Sequence, residues 1–293
     1  MKKLKTPSAL FLLTAITLAI ALFCRLVAPA SYRFIFLGDT GTGDENQLKV
    51  AQAVKEHCDK YKNCQAVFIL GDVICDEGVE SIDDPQFTTK FEEPYKDINL
   101  PFYIAYGNHD YLGCTDCYLQ YSNISEKWKM PNPYYKLSFA DLVSFLVINT
   151  EAFNSQQQNW LKQKLEKSHT PFKIVLGHKP LVTYETNYIK RNWPGKKELK
   201  NIVCQTADFY ISGHAHLLED NGILENCQVR QLISGGGGST PRKIYPPHGG
   251  EFYFEGNGFL SLLVSEKKIE YAFFDEEGTL LQTAADFTED KPL

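Results

Sequence analysis

The chain has 293 residues, of which 43% are hydrophobic and 23% charged, the proportions of an ordinary globular protein. That composition excludes a disordered chain and a multi-span membrane protein, and the length fits one large domain or two small ones. The formal net charge of −6 disfavours a nucleic-acid partner, because an acidic surface repels a polyanion.

The first thirty residues differ from the rest. Lys2, Lys3 and Lys5 precede an apolar run from Ala9 to Phe23, and Ala28-Pro29-Ala30 puts small residues where a signal peptidase reads. This layout predicts a secretory signal peptide over 1–30, cleaved after Ala30, and hence a secreted or periplasmic protein. The apolar run is short for a membrane span. An uncleaved anchor is the competing reading and would be the one route to a membrane. A lipoprotein linkage through Cys24 is a weaker alternative, because Leu22-Phe23 is bulky where a small residue is wanted. Cleavage would remove Lys2, Lys3, Lys5 and Arg25 and no acid, leaving 26 basic and 36 acidic residues, a net charge of −10.

From Ser31 onward a single domain is expected, since no repeat or low-complexity linker interrupts it. Tyr32 to Leu37 is an apolar, β-rich run. Gln47 to Cys58 places Leu48, Ala51, Val54 and Cys58 on one helical stripe. Ala66–Leu70 and Phe102–Tyr106 read as further strands, and Lys136–Phe139 with Val143–Ile148 as a strand pair. Gln156 to Lys167 reads as an amphipathic helix around Trp160, Leu161 and Leu165. Phe172–Leu176 and Phe209–Ser212 are strands, with a helix ending at Cys204 between them. Gln228–Ser234, Phe259–Val264 and Lys268–Phe274 supply more. Strands alternating with helices early and crowding late predict two packed sheets with helices outside.

Five of these strands stop at a glycine followed by a metal-ligating residue type. The cases are Gly38-Asp39, Gly71-Asp72, Gly107-Asn108-His109-Asp110, Gly177-His178 and Gly213-His214-Ala215-His216. Taken singly, each is ordinary for a turn. Taken together, strand ends along one edge of an α/β sheet converge on one crevice, and glycine lets the backbone come close there. Two aspartates, one asparagine and three histidines would meet. Carboxylate, amide oxygen and imidazole suit Zn, Mn or Fe rather than Ca. Two such ions bridged by a carboxylate run in-line displacement at phosphorus. His57, His169 and His248 fit no such pattern.

These motifs resemble the calcineurin-like metallophosphoesterases, and more narrowly the purple acid phosphatases of the tartrate-resistant type and their bacterial relatives. The likeness also runs through Gly71 to Val79, Phe87 to Tyr95, Tyr121 to Ser125 with Trp128, and Pro133-Tyr134-Tyr135, covering most of Tyr32 to Gly238. It implies a four-layer α/β-β/α sandwich and a phosphate-monoester hydrolase with two metal ions drawn from Fe, Zn and Mn. By the same resemblance Asp39 and His216 hold the first ion, Asn108, His178 and His214 the second, and Asp72 bridges them. His109 is then the proton donor to the leaving alcohol, or steadies the transition state, and Asp110 is expected to orient His109, as a carboxylate beside an imidazole would. The implied partner is a small phosphorylated substrate, and the chain is expected to work as a monomer.

Three positions depart from the family's pattern. Its Gly-Asp-Asn-x-Tyr reads Gly71-Asp72-Val73-Ile74-Cys75, so the tyrosine ligand is missing. Its Gly-His-Asp-His reads Gly213-His214-Ala215-His216, which spares both ligands. Lys179 stands where relatives carry an aromatic or polar residue, and is a candidate phosphate contact. The motifs also allow phosphodiesterase or nucleotide-pyrophosphatase work, or a catalytically silent binding protein of the same fold. Seven cysteines follow the leader. Cys58 and Cys64 flank one short loop, Cys114 and Cys117 another, and Cys204 and Cys227 stand beside neighbouring strands. Pairing them so leaves Cys75 as a free thiol or a thiolate ligand.

Overall fold

The computed structural model describes residues 31–188 and 191–287; the expected leader over 1–30 lies outside them. Fourteen strands appear in chain order. They are β1 (Tyr32–Leu37), β2 (Cys64–Leu70), β3 (Phe102–Ala105), β4 (Trp128–Lys129), β5 (Tyr135–Phe139), β6 (Val143–Val147) and β7 (Phe172–Leu176). Then come β8 (Phe209–Ser212), β9 (Leu218–Ile223), β10 (Arg230–Ser234), β11 (Phe252–Phe254), β12 (Gly258–Val264), β13 (Lys268–Asp275) and β14 (Leu280–Phe287). The main helices are α1 (Glu45–Tyr61), α2 (Thr115–Tyr121), α3 (Ser155–Glu166) and α4 (Lys196–Thr206).

The strands form two seven-stranded sheets, ordered β14-β13-β12-β1-β2-β3-β4 and β11-β9-β10-β8-β7-β6-β5. In the first, β1 to β4 run parallel and β12 joins β1 antiparallel. In the second, β6, β7, β8 and β10 are parallel, with β5 and β9 antiparallel at either side.

The central strands are apolar on both faces because both faces are covered. Phe34 and Phe36 of β1 point between the sheets, while Ile35 and Leu37 face α1. The period of two repeats in β2, with Phe68 and Leu70 inward and Val67 and Ile69 outward. Phe68 packs against Phe145 of the facing sheet at 4.6 Å between ring centroids. Val50 and Val54 of α1 cover the first sheet, and Leu161, Leu165, Leu199 and Val203 of α3 and α4 cover the second. The result is the four-layer α/β-β/α sandwich expected, in one domain. Asp44 caps α1 by accepting from the N–H groups of Asn46 and Gln47, and Lys62 ends it in a left-handed turn.

Disulfides join Cys58–Cys64, Cys114–Cys117 and Cys204–Cys227, and among the described residues Cys75 is the free, buried cysteine. Among the described residues, no helix is long and apolar enough to cross a membrane.

Candidate metal centre

The parallel strands β1, β2, β3, β7 and β8 carry the five glycine motifs at their C-terminal ends, so the candidate ligands project from one edge of both sheets. The glycines let those edges touch. A Cβ on Gly213 would stand 2.8 Å from Asp39 Oδ2 and 3.0 Å from Leu70 O. Gly71 lies at φ +89°, and a Cβ there would meet the His178 ring at 2.5 Å. The next residues are bent too: Asp39, Asp72 and His214 sit at φ 58°, 51° and 68°. Asp and His tolerate this region better than most residues, yet each such position costs on the order of 1–3 kcal/mol. Three of the six expected ligands therefore occupy strained backbone, held by hydrogen bonds such as Asp39 N–H to Gly71 O at 3.0 Å.

One half of the centre is tightly converged. His178 Nδ1 donates to Leu70 O at 2.8 Å, which fixes the tautomer and leaves the Nε2 lone pair free. Around that nitrogen stand Asn108 Oδ1 at 3.1 Å, His214 Nδ1 at 3.0 Å and Asp72 Oδ2 at 3.3 Å. These are acceptor atoms aimed at one another, an arrangement that a cation satisfies. Asp72, His178 and His214 form the group of three buried metal-carrier residues found among the described residues. Burial opposes charge on His178, but the neighbouring Asp72 carboxylate outweighs it and raises the imidazole to about 10. Burial likewise opposes charge on Asp72, and His178 outweighs it, holding Asp72 below the usual carboxylate range. Burial, reinforced by the His178 charge, lowers His214. Without an ion, then, a proton sits between His178 and Asp72, and metal uptake releases it.

The other half is sparser. His216 Nδ1 donates to Thr240 O at 3.1 Å, leaving Nε2 facing Asp39 Oδ1 at 3.5 Å. Asp39 Oδ2 accepts from His214 N–H at 2.7 Å, whereas Asp39 Oδ1 is buried with no hydrogen-bond partner. An orphaned buried carboxylate oxygen beside an imidazole lone pair also fits a cation. Asp72 Oδ1 accepts from His109 N–H at 2.8 Å, so Oδ2 is the oxygen left to serve a bridge.

Cys75 Sγ lies 3.6 Å from Asp72 O and 3.9 Å from Ser239 Oγ. Burial, with the Asp72, Asp39 and Asp110 charges adding to it, pushes its thiol up, so among these groups it is a protonated donor to backbone.

His109 is a third exposed, and its Nδ1 donates to Asp76 O at 2.6 Å. Its Nε2 therefore faces the centre, 4.0 Å from Asp72 Oδ2. The expectation that Asp110 orients His109 is corrected here. The Asp110 carboxylate is fully buried and turns the other way. It accepts N–H bonds from Gly107, Asp72, Val73 and Ile74 at 2.7–3.2 Å. It binds the Gly107 turn to the Asp72 turn, so it positions the ligands, and the Asp76 carbonyl positions His109. Burial, then the Asp72 charge, raises Asp110 to about 7, against those N–H bonds.

Beside Asn108 and His214 opens a cavity of about 260 Å³. Lys179 lines it, but its Nζ is held by Glu151 at 2.6 Å rather than offered freely to a phosphate. Tyr188, Arg191, Trp193 and Lys196 complete much of its wall and were not anticipated from the sequence. The available signal was a cluster of basic and aromatic residues, Arg191-Asn192-Trp193 and Lys196-Lys197, in an acidic chain.

A family model described as calcineurin-like phosphoesterase matches residues 32–218. Tartrate-resistant acid phosphatase type 5 of Rattus norvegicus is 27% identical, over 90% of this chain and 93% of that protein. Purple acid phosphatase 4 of Arabidopsis thaliana is 26% identical, over 86% of this chain and 82% of that protein. Among solved structures, GAP50, the anchor in the inner membrane complex of Plasmodium, superposes with a TM-score of 0.75 at 23% identity. That likeness covers 87% of this chain and 88% of the other, and it speaks to the fold.

Proposed function

The chain belongs to the calcineurin-like phosphoesterase family, and from that premise we propose that it is an exported, two-metal acid phosphatase hydrolysing small phosphate monoesters. The observation that carries this reading is the set of lone pairs aimed at common points. His178 Nε2, His214 Nδ1, Asn108 Oδ1 and Asp72 Oδ2 face one position. Asp39 Oδ1 and His216 Nε2 face another. The phosphatase relatives, similar over most of the chain, support the same substrate class.

Ions held there would supply Lewis acidity, acidifying the attacking water and offsetting phosphoryl charge. The chain's own residues do the rest. Asp72 would bridge the two positions through Oδ2, since its other oxygen is pinned by His109 N–H. Asp110 locks the two turns that carry Asp72 and Asn108. His109, held through Nδ1, keeps Nε2 free to give a proton to the leaving alcohol. Export accords with three disulfides, which persist in oxidising compartments.

The test is hydrolysis of p-nitrophenyl phosphate and of bis-p-nitrophenyl phosphate by protein reconstituted with Zn, Mn or Fe. Turnover of the monoester well above the diester is expected. Preferential diester cleavage would mean a phosphodiesterase, and no turnover with any metal a silent binding protein. Sequencing the N-terminus of protein recovered outside the cytoplasm should give Ser31; a chain still beginning at Met1 in the membrane fraction would mean an anchor.

A further inference from the structure

The cavity beside the candidate metal centre has a charge pattern that the phosphoryl site does not require. None of its lining residues is acidic, in a chain of net charge −6. Lys179, the cation next to His178, is neutralised by Glu151. Arg191, Lys196 and the nearby Arg242 have no carboxylate within ion-pair distance among the described residues. The Arg191 and Arg242 guanidiniums instead lie 4.8 and 5.1 Å from the Tyr188 ring centroid. That ring lies 4.1 Å from the His214 ring, tilted by 43°, so this cationic group adjoins the candidate ligands. Lys196 Nζ donates to Arg191 O at 3.1 Å, and burial, aided by Lys200, lowers its pKa. A half-buried ammonium whose partner is a single carbonyl has bonding capacity to spare.

The wall is also built to stay in place. Trp193 Nε1 donates to Pro180 O at 3.1 Å. Thr183 Oγ1 and Tyr184 N–H donate to the buried Glu219 carboxylate at 2.8 and 3.0 Å, and His248 meets the same carboxylate at 3.0 Å. Unpaired cations on a preorganised wall point to an anionic ligand group. Ions at the metal positions would supply positive charge for the phosphoryl being cleaved, so these cations are surplus to that task. At about 260 Å³ the cavity falls just short of the range for drug-sized ligands, which suits a short polar group and not a polymer.

We propose that this cavity receives the leaving alcohol, and that the alcohol carries a second anionic group, a carboxylate or a phosphate, bound by Arg191 and Lys196. The proposal rests on the phosphatase reading for the role of the alcohol. Binding of the second anion rests on the wall itself.

Two substrate pairs test it and separate the two anions. Glycerol 3-phosphate against 3-phosphoglycerate adds a carboxylate, and fructose 6-phosphate against fructose 1,6-bisphosphate adds a phosphate. In at least one pair the doubly anionic member should have kcat/KM higher by about tenfold or more, the worth of one charge-assisted hydrogen bond, mainly through KM. Arg191→Ala combined with Lys196→Ala should bring that ratio near one, and Arg191→Lys should keep most of it. Equal kcat/KM within both pairs, or a preference that survives the double substitution, would overturn the proposal. Titration calorimetry of the same compounds reads the wall without turnover. If nothing is hydrolysed but the doubly anionic compound binds more tightly and loses that advantage in the double variant, the phosphatase reading fails and the anion site stands. If hydrolysis occurs with no preference in binding or rate, the anion site fails alone.

Discussion

The two halves of the candidate metal centre are built to different standards. Around His178 three ligand atoms gather within 3.3 Å of one nitrogen, with the ring fixed from behind by Leu70 O. Around Asp39 only His216 approaches, at 3.5 Å, and the position where relatives keep a tyrosine holds Cys75, whose sulfur turns to backbone. The crowded half holds a proton between His178 and Asp72 until a cation displaces it; the sparse half holds one orphaned oxygen. An ion should therefore bind the crowded half more tightly, and the sparse half should be the more permissive in its choice of metal.

Asp72 is the expected bridge between the halves, and its substitution should have the largest effect. Asp72→Asn removes the charge shared by the two positions, so metal content should fall at both and turnover should disappear. Near-normal activity with two ions retained, measured by elemental analysis and rate together, would break the two-metal picture. His109→Ala comes next and asks whether the halves differ in binding alone. Both should keep their ions while turnover falls by about 10²–10⁴, the usual worth of a positioned acid. The loss should shrink with good leaving groups such as p-nitrophenol; a uniform loss would assign His109 to charge stabilisation instead.

The comparison itself is tested by His216→Ala against His178→Ala. In the sparse half His216→Ala leaves Asp39 and the bridging oxygen, so one ion per chain should be lost and one kept. In the crowded half three donors survive His178→Ala, so affinity there should weaken without vanishing. Equilibrium dialysis with Zn reads both, and identical stoichiometries would erase the distinction.

A control lies away from both halves. His57 packs against Phe274 and Phe259 with ring centroids at 4.6 and 5.3 Å, and its Nε2 meets Ser261 Oγ at 3.0 Å. Burial, then the Arg33 and Lys60 charges, lowers it from 6.5 to about 3. The folded chain keeps His57 neutral while the unfolded chain takes up a proton below 6.5. Its contribution to stability is thus whole above pH 6.5 and is lost as pH falls toward 3. The slope from this one group approaches about 1.4 kcal/mol per pH unit. Chemical denaturation across that range should show a shallower slope in His57→Gln. The smallest effect is expected from Cys75→Ser, which should leave metal affinity in the sparse half unchanged. Loss of one ion would make the sulfur a ligand after all. A tyrosinate-to-iron absorption band in the wild-type protein would show that some other tyrosine reaches the metal.

Where an apolar run met a glycine, the sequence was easily read. β1, β7 and β8 span the expected residues because both faces of each strand are buried and the glycine stops the run. β9 escaped notice because Glu219 and Asp220 lie in it, and charges argue against a buried strand. Both are fully buried, made tolerable by Arg230, Tyr271 and His248 from elsewhere in the chain. Short edge strands such as β4 and β11 carry too few residues for a periodic signal. Asp110 was misassigned because neighbours in sequence need not face each other. It opens a single 3₁₀ turn (Asp110–Leu112), and its carboxylate folds back beneath Asp72. The cavity wall was missed because most of its residues sit in irregular segments, where no period betrays a common face.

The six candidate ligands span residues 39 to 216 and come from both sheets, which meet through glycines where a methyl group would collide. No segment of the chain can assemble the centre by itself, and neither sheet can before the other has docked. A cation that recognises the finished geometry consequently acts as a proofreader of folding. At a free concentration a hundredfold above its dissociation constant it adds about 2.7 kcal/mol to the fully docked state. It adds nothing to a chain in which only one sheet has formed, so cells short of the metal would accumulate half-assembled protein before they lost activity per folded molecule.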